Sequence, residues 1–428
     1  MTLLMTANAL SLLFVLVLMT NAAVRLWLAS RQIRHVARHR DAVPAAFEGQ
    51  ISLTSHQRAA AYTIAKVRLQ LLDSLVSTVV LVALTLLGGA QWLYDLSAGW
   101  LPDSPWLAQL VFLLMTVALL GLIDVPFSWY RQFRLEKRFG FNRMTPQLFL
   151  ADLFKGALIG TLIATPLIGL VLWLMQSAGA WWWLATWVVW TAFSIALMVL
   201  YPTVIAPRFN KFKPLPQDEL RTRVEALLAR CGFRSQGLFV MDGSRRSNHG
   251  NAYFTGFGQA KRIVFFDTLL ERLDGDQIEA VLAHELGHFK HKHIAKRLVI
   301  SFATSFLGLA LLGWLAAKPW FYTGLGMTPG AIGFEGPALL LFLLVIPVFT
   351  FLLRPLTATL SRRDEFQADA FAASQTQATH LVNALLRLYQ DNASTLTPDP
   401  LHSAFYDSHP SASERIGRLL QANQAQPA

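Results

Sequence analysis

Cysteine is almost absent from this 428-residue chain: Cys231 stands alone, so no disulfide can form within it. A reduced, cytoplasmic setting agrees with that. Charge is scarce too, at 15% against 54% hydrophobic residues, a balance that excludes an ordinary soluble globule. Acidic residues are the scarcer sign, 26 against 37 Lys and Arg, for a net charge of +11. Such an excess raises the question of nucleic acid, but no aromatic-basic RNA-binding motif or other nucleic-acid module is present. Much of the positive charge instead flanks apolar runs, where it sets membrane topology and meets anionic lipid. The chain also lacks internal repeats and long low-complexity segments.

What the chain has in quantity is long apolar runs. Seven are near the ~20 residues that cross a bilayer: Leu3–Leu28, Leu69–Leu93, Trp106–Val125, Ala157–Met175, Trp181–Tyr201, Leu298–Leu315 and Leu339–Leu353. No basic residue precedes the first run, which favours a retained anchor over a cleaved signal. Basic residues alternate between connections. Arg31, Arg34, Arg38, Arg40 and Arg58 follow the first run, and Arg131, Arg134, Lys137, Arg138 and Arg143 follow the third. Arg208, Lys211 and Lys213 follow the fifth, whereas the second connection carries Asp95 and Asp103 and the fourth is a neutral turn near Ser177. Lys318 is the only basic residue of the connection 318–338. Positive charge stays inside, so the amino terminus is expected outside and the carboxyl terminus in the cytoplasm. Asp73, Asp124, Asp152 and Lys155 fall in or beside these runs and should face protein or water, because charge exposed to lipid is costly.

Between the fifth and sixth runs lies a polar stretch of mixed pattern. Gln217–Cys231 reads as an amphipathic helix, and Leu238–Met241 and Ile263–Phe266 as short strands. A polar loop, Arg246 to Asn251, leads into the β-prone Ala252-Tyr253-Phe254. Then comes His284-Glu285-Leu286-Gly287-His288, with Ile278, Val281, Leu282, Leu286 and Phe289 at helical spacing. Asp276 and Glu279 are spaced as a capping box, which starts the helix near Asp276. Two histidines four apart share one helix face and can chelate one metal from a single turn. The glutamate beside the first can take a proton from a polarised water. This pattern points to zinc-dependent peptide hydrolysis, with a basic His-rich surface helix as the plainer alternative.

A catalytic zinc takes three protein ligands and leaves a fourth position open. The metzincin spacing would need glycine and histidine where the chain has His291 and Ile294, so that class is excluded. His291 and His293 are near but poorly placed for tetrahedral geometry. Glu365, in the helix expected over Ser361–Ala373, is the better candidate, with Asp369 one turn on. Asp369 either orients a ligating histidine or pairs with a neighbouring arginine. A further helix is expected over Ala378–Tyr389, followed by a loop at His409-Pro410. His288 shortly precedes the sixth run and Glu365 shortly follows the seventh. The metal should therefore sit near the membrane surface, which favours membrane-associated substrates.

Most of the chain resembles the Ste24-type branch, type I CAAX prenyl proteases, of the M48 zinc metallopeptidases. The resemblance is carried by Arg138-Phe139-Gly140-Phe141-Asn142, Pro207-Arg208-Phe209-Asn210-Lys211-Phe212, Asn251-Ala252-Tyr253, Phe266-Asp267-Thr268-Leu269, the His284–His288 motif, Arg363 to Asp369, and His409-Pro410. It implies a mainly α integral membrane fold. Seven transmembrane helices would enclose a chamber, with a split gluzincin-type α+β peptidase unit on the cytoplasmic side. Asp73, Asp124 and Lys155 would line that chamber. It also implies one Zn²⁺ per chain on His284, His288 and Glu365, with Glu285 as general base. His409 would donate to the oxyanion, supported by Arg415, and Asn251, Ala252 and Tyr253 would pair with the substrate backbone. The expected division is 1–203 for helices one to five, 204–298 for the first catalytic part, 299–353 for a membrane hairpin and 354–428 for the second catalytic part. Peptide or protein substrates, possibly prenylated, and the bilayer are the implied partners, with no nucleic acid. The abundance of Ala, Leu and Trp suits a bacterial inner membrane, with the ER membrane as the alternative. The competing functions are a quality-control protease that clears translocation machinery, and a transporter-like protein with a structural zinc.

Overall fold

The structure, a computed structural model, describes residues 6–233, 237–255, 262–330 and 332–425. Helix α1 (Ala7–Arg38) is capped by Thr6, whose Oγ1 accepts from Ala9 N at 3.2 Å. Residues 3–5 of the expected first run lie outside the described residues. Helix α2 (Leu53–Leu84) is capped in the same way by Ser52. The second apolar run was expected to continue to Leu93, but the chain turns at Gly88 (φ +77°) and starts a separate helix, α3 (Gly89–Trp100). A Cβ on Gly89 would lie 2.6 Å from Ala83 O, so this tight turn requires glycine. The sequence there stays apolar through Leu86-Leu87, and hydropathy alone gives no sign of the break.

Helices α4 (Pro105–Tyr130), α5 (Pro146–Ser177) and α6 (Trp182–Leu200) follow. α4 runs on through a π-helical segment to Glu136, and α6 through another into the short α7 (Ala206–Phe209). Strand β1 (Phe212–Pro214), helix α8 (Glu219–Arg230) and strands β2 (Leu238–Met241), β3 (Ala252–Thr255) and β4 (Arg262–Phe266) come next. The sheet order is β1-β2-β4-β3, with β2 and β4 parallel and the outer pairs antiparallel. β3 therefore forms one edge. Helices α9 (Asp267–Leu270), α10 (Gly275–Lys290) and α11 (His293–Ala316) lead back to the bundle. Then come α12 (Pro319–Thr323), α13 (Glu335–Thr350), α14 (Arg354–Gln375), α15 (Ala378–Asp391), α16 (Pro400–Tyr406) and α17 (Ala412–Ala425).

Among the described residues seven continuous helical runs are long and apolar enough to cross a membrane, and the chain is a multi-pass membrane protein. The last is the longest, Glu335–Gln375, because only a single 3₁₀ turn, Phe351–Leu353, separates α13 from α14. Helices α10 and α11 are joined as closely: only His291 and Lys292 separate them, and Lys292 lies in the left-handed region at φ +56°. Among the described residues three hydrophobic clusters form, the smallest around Tyr62, Leu135 and Phe141 and the other two larger. One lies among α1, α3, α4 and α13, built on Phe14, Tyr94, Phe112 and Leu341. The other unites the sheet with α8, α10, α14, α15 and α17 through Phe265, Leu269, Leu282, Leu286, Ala372, Leu385 and Ile416. Segments on either side of the membrane hairpin thus share one core.

The polar loop before β3 is anchored to the bundle. Arg246 grips the Asp152 carboxylate with two N–H bonds of 2.9 and 3.1 Å and also donates to Asn210 Oδ1 and Phe209 O. The Arg138–Asn142 and Pro207–Phe212 motifs meet here: Phe141 stacks on His249 at 4.3 Å, and Asn248 donates to Gly140 O. His249 Nδ1 meets Asn392 Oδ1 at 3.1 Å and its Nε2 lies 3.4 Å from Glu136 Oε2.

Helices α10 and α14 cross at Gly287. A Cβ there would lie 2.8 Å from Ala368 Cα and 3.1 Å from its carbonyl oxygen, both backbone atoms that cannot swing aside. Gly287→Ala should therefore push the helices apart and cost about 1–3 kcal/mol, despite alanine's better helix propensity. Thermal unfolding in detergent checks this, and an unchanged midpoint would refute the tight crossing.

Candidate metal centre

Helix α10 begins two residues earlier than its sequence suggested. Asp274 is the N-cap and Gln277 completes the capping box, so Asp276 and Glu279 are free to bind Arg223 instead. Ile278, Leu282 and Leu286 enter the core, and Ala283 and Gly287 leave room for α14. That orientation turns His284 and His288 toward Glu365.

The three side chains converge. His284 Nε2 is 3.3 Å from His288 Nε2 and 3.4 Å from Glu365 Oε2, and His288 Nε2 is 3.4 Å from Glu365 Oε1. Donors held about 2.0–2.1 Å from a tetrahedral centre lie about 3.3–3.4 Å apart, so this triangle has the size a small tetrahedral metal ion requires. Glu365 is 3% exposed, yet its Oε2 accepts no hydrogen bond of good geometry. A buried carboxylate oxygen in that condition is costly unless a cation completes it. The residues fit a metal ion.

Behind each histidine stands a second polar group. His284 Nδ1 lies 2.8 Å from Asp369 Oδ1, and Arg415 holds that carboxylate through bonds of 2.6 and 2.9 Å. Asp369 thus contacts a histidine, and its arginine partner comes from α17 rather than from a neighbouring turn of its own helix. Arg415 works behind His284 rather than as a support for His409. His288 Nδ1 lies 2.9 Å from His293 Nδ1, and His293 Nε2 lies 2.9 Å from Gln367 Oε1. His293, 1% exposed, was missed as a partner in the sequence. It sits five residues past His288 across the Lys292 turn, outside any helical periodicity and inside a basic run. His291 is exposed and stacks on His293 at 5.6 Å, away from the donor triangle.

The two histidines differ electrostatically. Burial pulls the His284 imidazole down, but Asp369 and Glu365 more than reverse this and raise it to about 9. Burial dominates at His288, helped by the charge of His284, and lowers it to about 4. Burial raises the Glu285 carboxyl, against the pull of His284. Among the described residues Glu285 has no hydrogen-bond or ion-pair partner, so its carboxylate remains available for proton transfer.

His409 Nδ1 is 2.8 Å from Glu365 Oε2, and its side chain is 60% exposed. It lines a cavity of about 910 Å³ that also takes in Asn21, Gln32, Lys66 and Asp73 from α1 and α2. Asp124 accepts from Ser128 instead, and neither it nor Lys155 lines this cavity. Asn251 immediately precedes edge strand β3: its side-chain oxygen accepts from Ala252 N and its carbonyl from Phe266 N. Ala252 packs toward the core, and Tyr253 faces a smaller cavity of about 420 Å³.

Comparison with known proteins bears on the whole chain. The family described as CAAX prenyl protease N-terminal, five membrane helices, matches residues 32–211, and peptidase family M48 matches residues 214–423. The chain is 33% identical over 388 residues to CAAX prenyl protease 1 homolog of Arabidopsis thaliana, covering 87% of this chain and 89% of that protein. It is 36% identical over 330 residues to CAAX prenyl protease 1 of Saccharomyces cerevisiae, covering 73% and 72%. The crystal structure of Ste24p from S. mikatae superposes with a TM-score of 0.89 at 29% identity, covering 96% of this chain and 98% of that one.

A proton on His284 competes with a metal for the same imidazole. With the metal-free group titrating near 9, affinity should rise about tenfold per pH unit between pH 6 and 8, with about one proton released per ion bound. Chelator competition across that range measures it, and a flat profile would show His284 already neutral. His293→Ala should weaken metal binding about 10–100-fold with the fold retained. An unchanged dissociation constant would remove His293 from the site.

Proposed function

The chain belongs to the CAAX prenyl protease 1 family, with its M48 peptidase part, and is a membrane metallopeptidase acting on peptides or proteins; from that premise we propose the residues and substrates of its reaction. His284, His288 and Glu365 hold one zinc ion, a borderline-soft metal suited to two imidazoles and a carboxylate. When bound, zinc supplies Lewis acidity, polarising the attacking water and the scissile carbonyl. Glu285 takes the proton of that water on its carboxylate and passes it to the leaving amine. His409, with Nδ1 turned to Glu365, donates from Nε2 to the carbonyl oxygen as charge builds on it. Asp369, steadied by Arg415, fixes the His284 tautomer by accepting its Nδ1 proton, so that Nε2 faces the metal. His293 does the same for His288.

The free edge of β3 offers Asn251, Ala252 and Tyr253 for an added substrate strand. The substrates are membrane-associated or lipidated, CAAX-like segments. Both ligand helices connect to membrane helices through links of two or three residues, and the cavity beside His409 is lined in part by α1 and α2. The catalytic part lies on the cytoplasmic face, following the basic connections, in a bacterial inner membrane. The observation that carries this reading is the donor triangle of 3.3–3.4 Å with a partnerless Glu285 on the same helical turn.

Glu285→Gln should lower kcat by about 10²–10⁴ while zinc stays stoichiometric. Wild-type turnover in that variant would refute its role as base. Glu365→Gln should instead lose zinc by elemental analysis. Cleavage of a farnesylated peptide and its unmodified counterpart separates a lipid requirement from general peptide clearance: comparable kcat/KM for both favours clearance.

A further inference from the structure

The cavity beside His409 holds two arginines that no described residue neutralises. Arg25 projects from α1, and its Cζ lies 4.1 Å from the centroid of Phe351. Arg354, the first residue of α14, has its Cζ 5.2 Å from the centroid of Tyr406. Phe405 bridges the two rings, with centroids 5.9 Å from Phe351 and 6.5 Å from Tyr406, so both guanidiniums rest on one aromatic shelf. Among the described residues neither donates a hydrogen bond or comes within 4.0 Å of a carboxylate oxygen. Their neighbours are matched: Arg31 holds Asp399 through two bonds, and Arg362 donates to Ser403 O and Asp407 O. Asp73, Asp407 and Lys66 also line the cavity, but neither acid pairs with Arg25 or Arg354.

A guanidinium stacked on a ring keeps its N–H edge free, and that planar fork matches an oxyanion bidentately. Two such groups beside a bilayer, without a counterion from the chain, call for one from the ligand. We propose that Arg25 and Arg354 bind the free α-carboxylate of the peptide being cut, an assignment that rests on the metallopeptidase reading above. Arg354 stands on the helix that carries Glu365, 11 residues before it. A lipid phosphate presents the same oxyanion chemistry. The carboxylate is favoured because the cavity that holds the arginines also holds His409.

The test compares matched peptides ending in a free carboxylate or a carboxamide, in uncharged detergent, with and without added phosphatidylglycerol. Wild-type kcat/KM should favour the carboxylate by about 10–100-fold, the range of a charge-assisted hydrogen bond. In Arg25→Gln/Arg354→Gln that ratio should fall toward one, with zinc content as the check on folding. Arg354→Lys, which keeps charge but not the fork, should give an intermediate ratio. Equal cleavage of the two peptides by wild type, or a preference that survives the double variant, overturns the proposal. So does a site that phosphatidylglycerol occupies while the peptide termini make no difference. If no peptide is cut, the reaction assignment fails. The carboxylate site is then decided by binding of the same labelled pair to Glu285→Gln, where equal affinity refutes it.

Discussion

Gly287 lets α10 approach the backbone of α14 at Ala368, and the metal centre depends on that contact. A side chain at position 287 would force the helices apart, and with them Glu365 and the two histidines that it approaches to 3.4 Å. The small residues around it serve the same end: Ala283 on α10, and Ala368 and Ala372 on α14, are all fully buried. The large residues next to Ala283 and Gly287 in the chain, Leu282 and Leu286, fix the rotation of α10 by filling the core. Helical period and side-chain volume together aim the ligands.

Close packing also removes water from the ligands, so their charges must be balanced from within. Asp369 and Arg415 do this for His284, and His293 with Gln367 does it without formal charge for His288. The result is two histidines on one helix with opposite proton affinities. Between them Glu285 has neither a partner among the described residues nor full solvation, the condition that the role of proton acceptor proposed for it requires. The neighbouring cavity shows the converse. Arg25 and Arg354 are held by aromatic faces rather than by acids, leaving their charge for something that enters.

The membrane helices do more than anchor the site. α14 continues α13 after one 3₁₀ turn, and α11 leaves α10 after Lys292, so the ligands are rigidly referred to the bundle. The loop ahead of β3 is tied to the same bundle through Arg246 and Asp152 and through His249 with Glu136 and Asn392. Asp152, read in the sequence as a charge that must face protein, finds its partner in a segment 94 residues away.

Local patterns were legible where a single element carries them. The apolar runs, the two histidines four apart, the strand Leu238–Met241 and the helix-borne Glu365 all follow from periodicity, length and the donor chemistry of the side chains. The sequence could not show where an apolar run breaks, since Gly88-Gly89 interrupts helix geometry without interrupting hydropathy. It placed the start of α10 two residues late, because Asp274 and Asp276 are both plausible caps and only Arg223, from another helix, decides which is free. His293, the pairing of Arg415 with Asp369, and the unneutralised arginines of the cavity were decided by tertiary structure alone. Each depends on which side chains from distant segments share a desolvated space, and neither spacing nor composition along one segment contains that information.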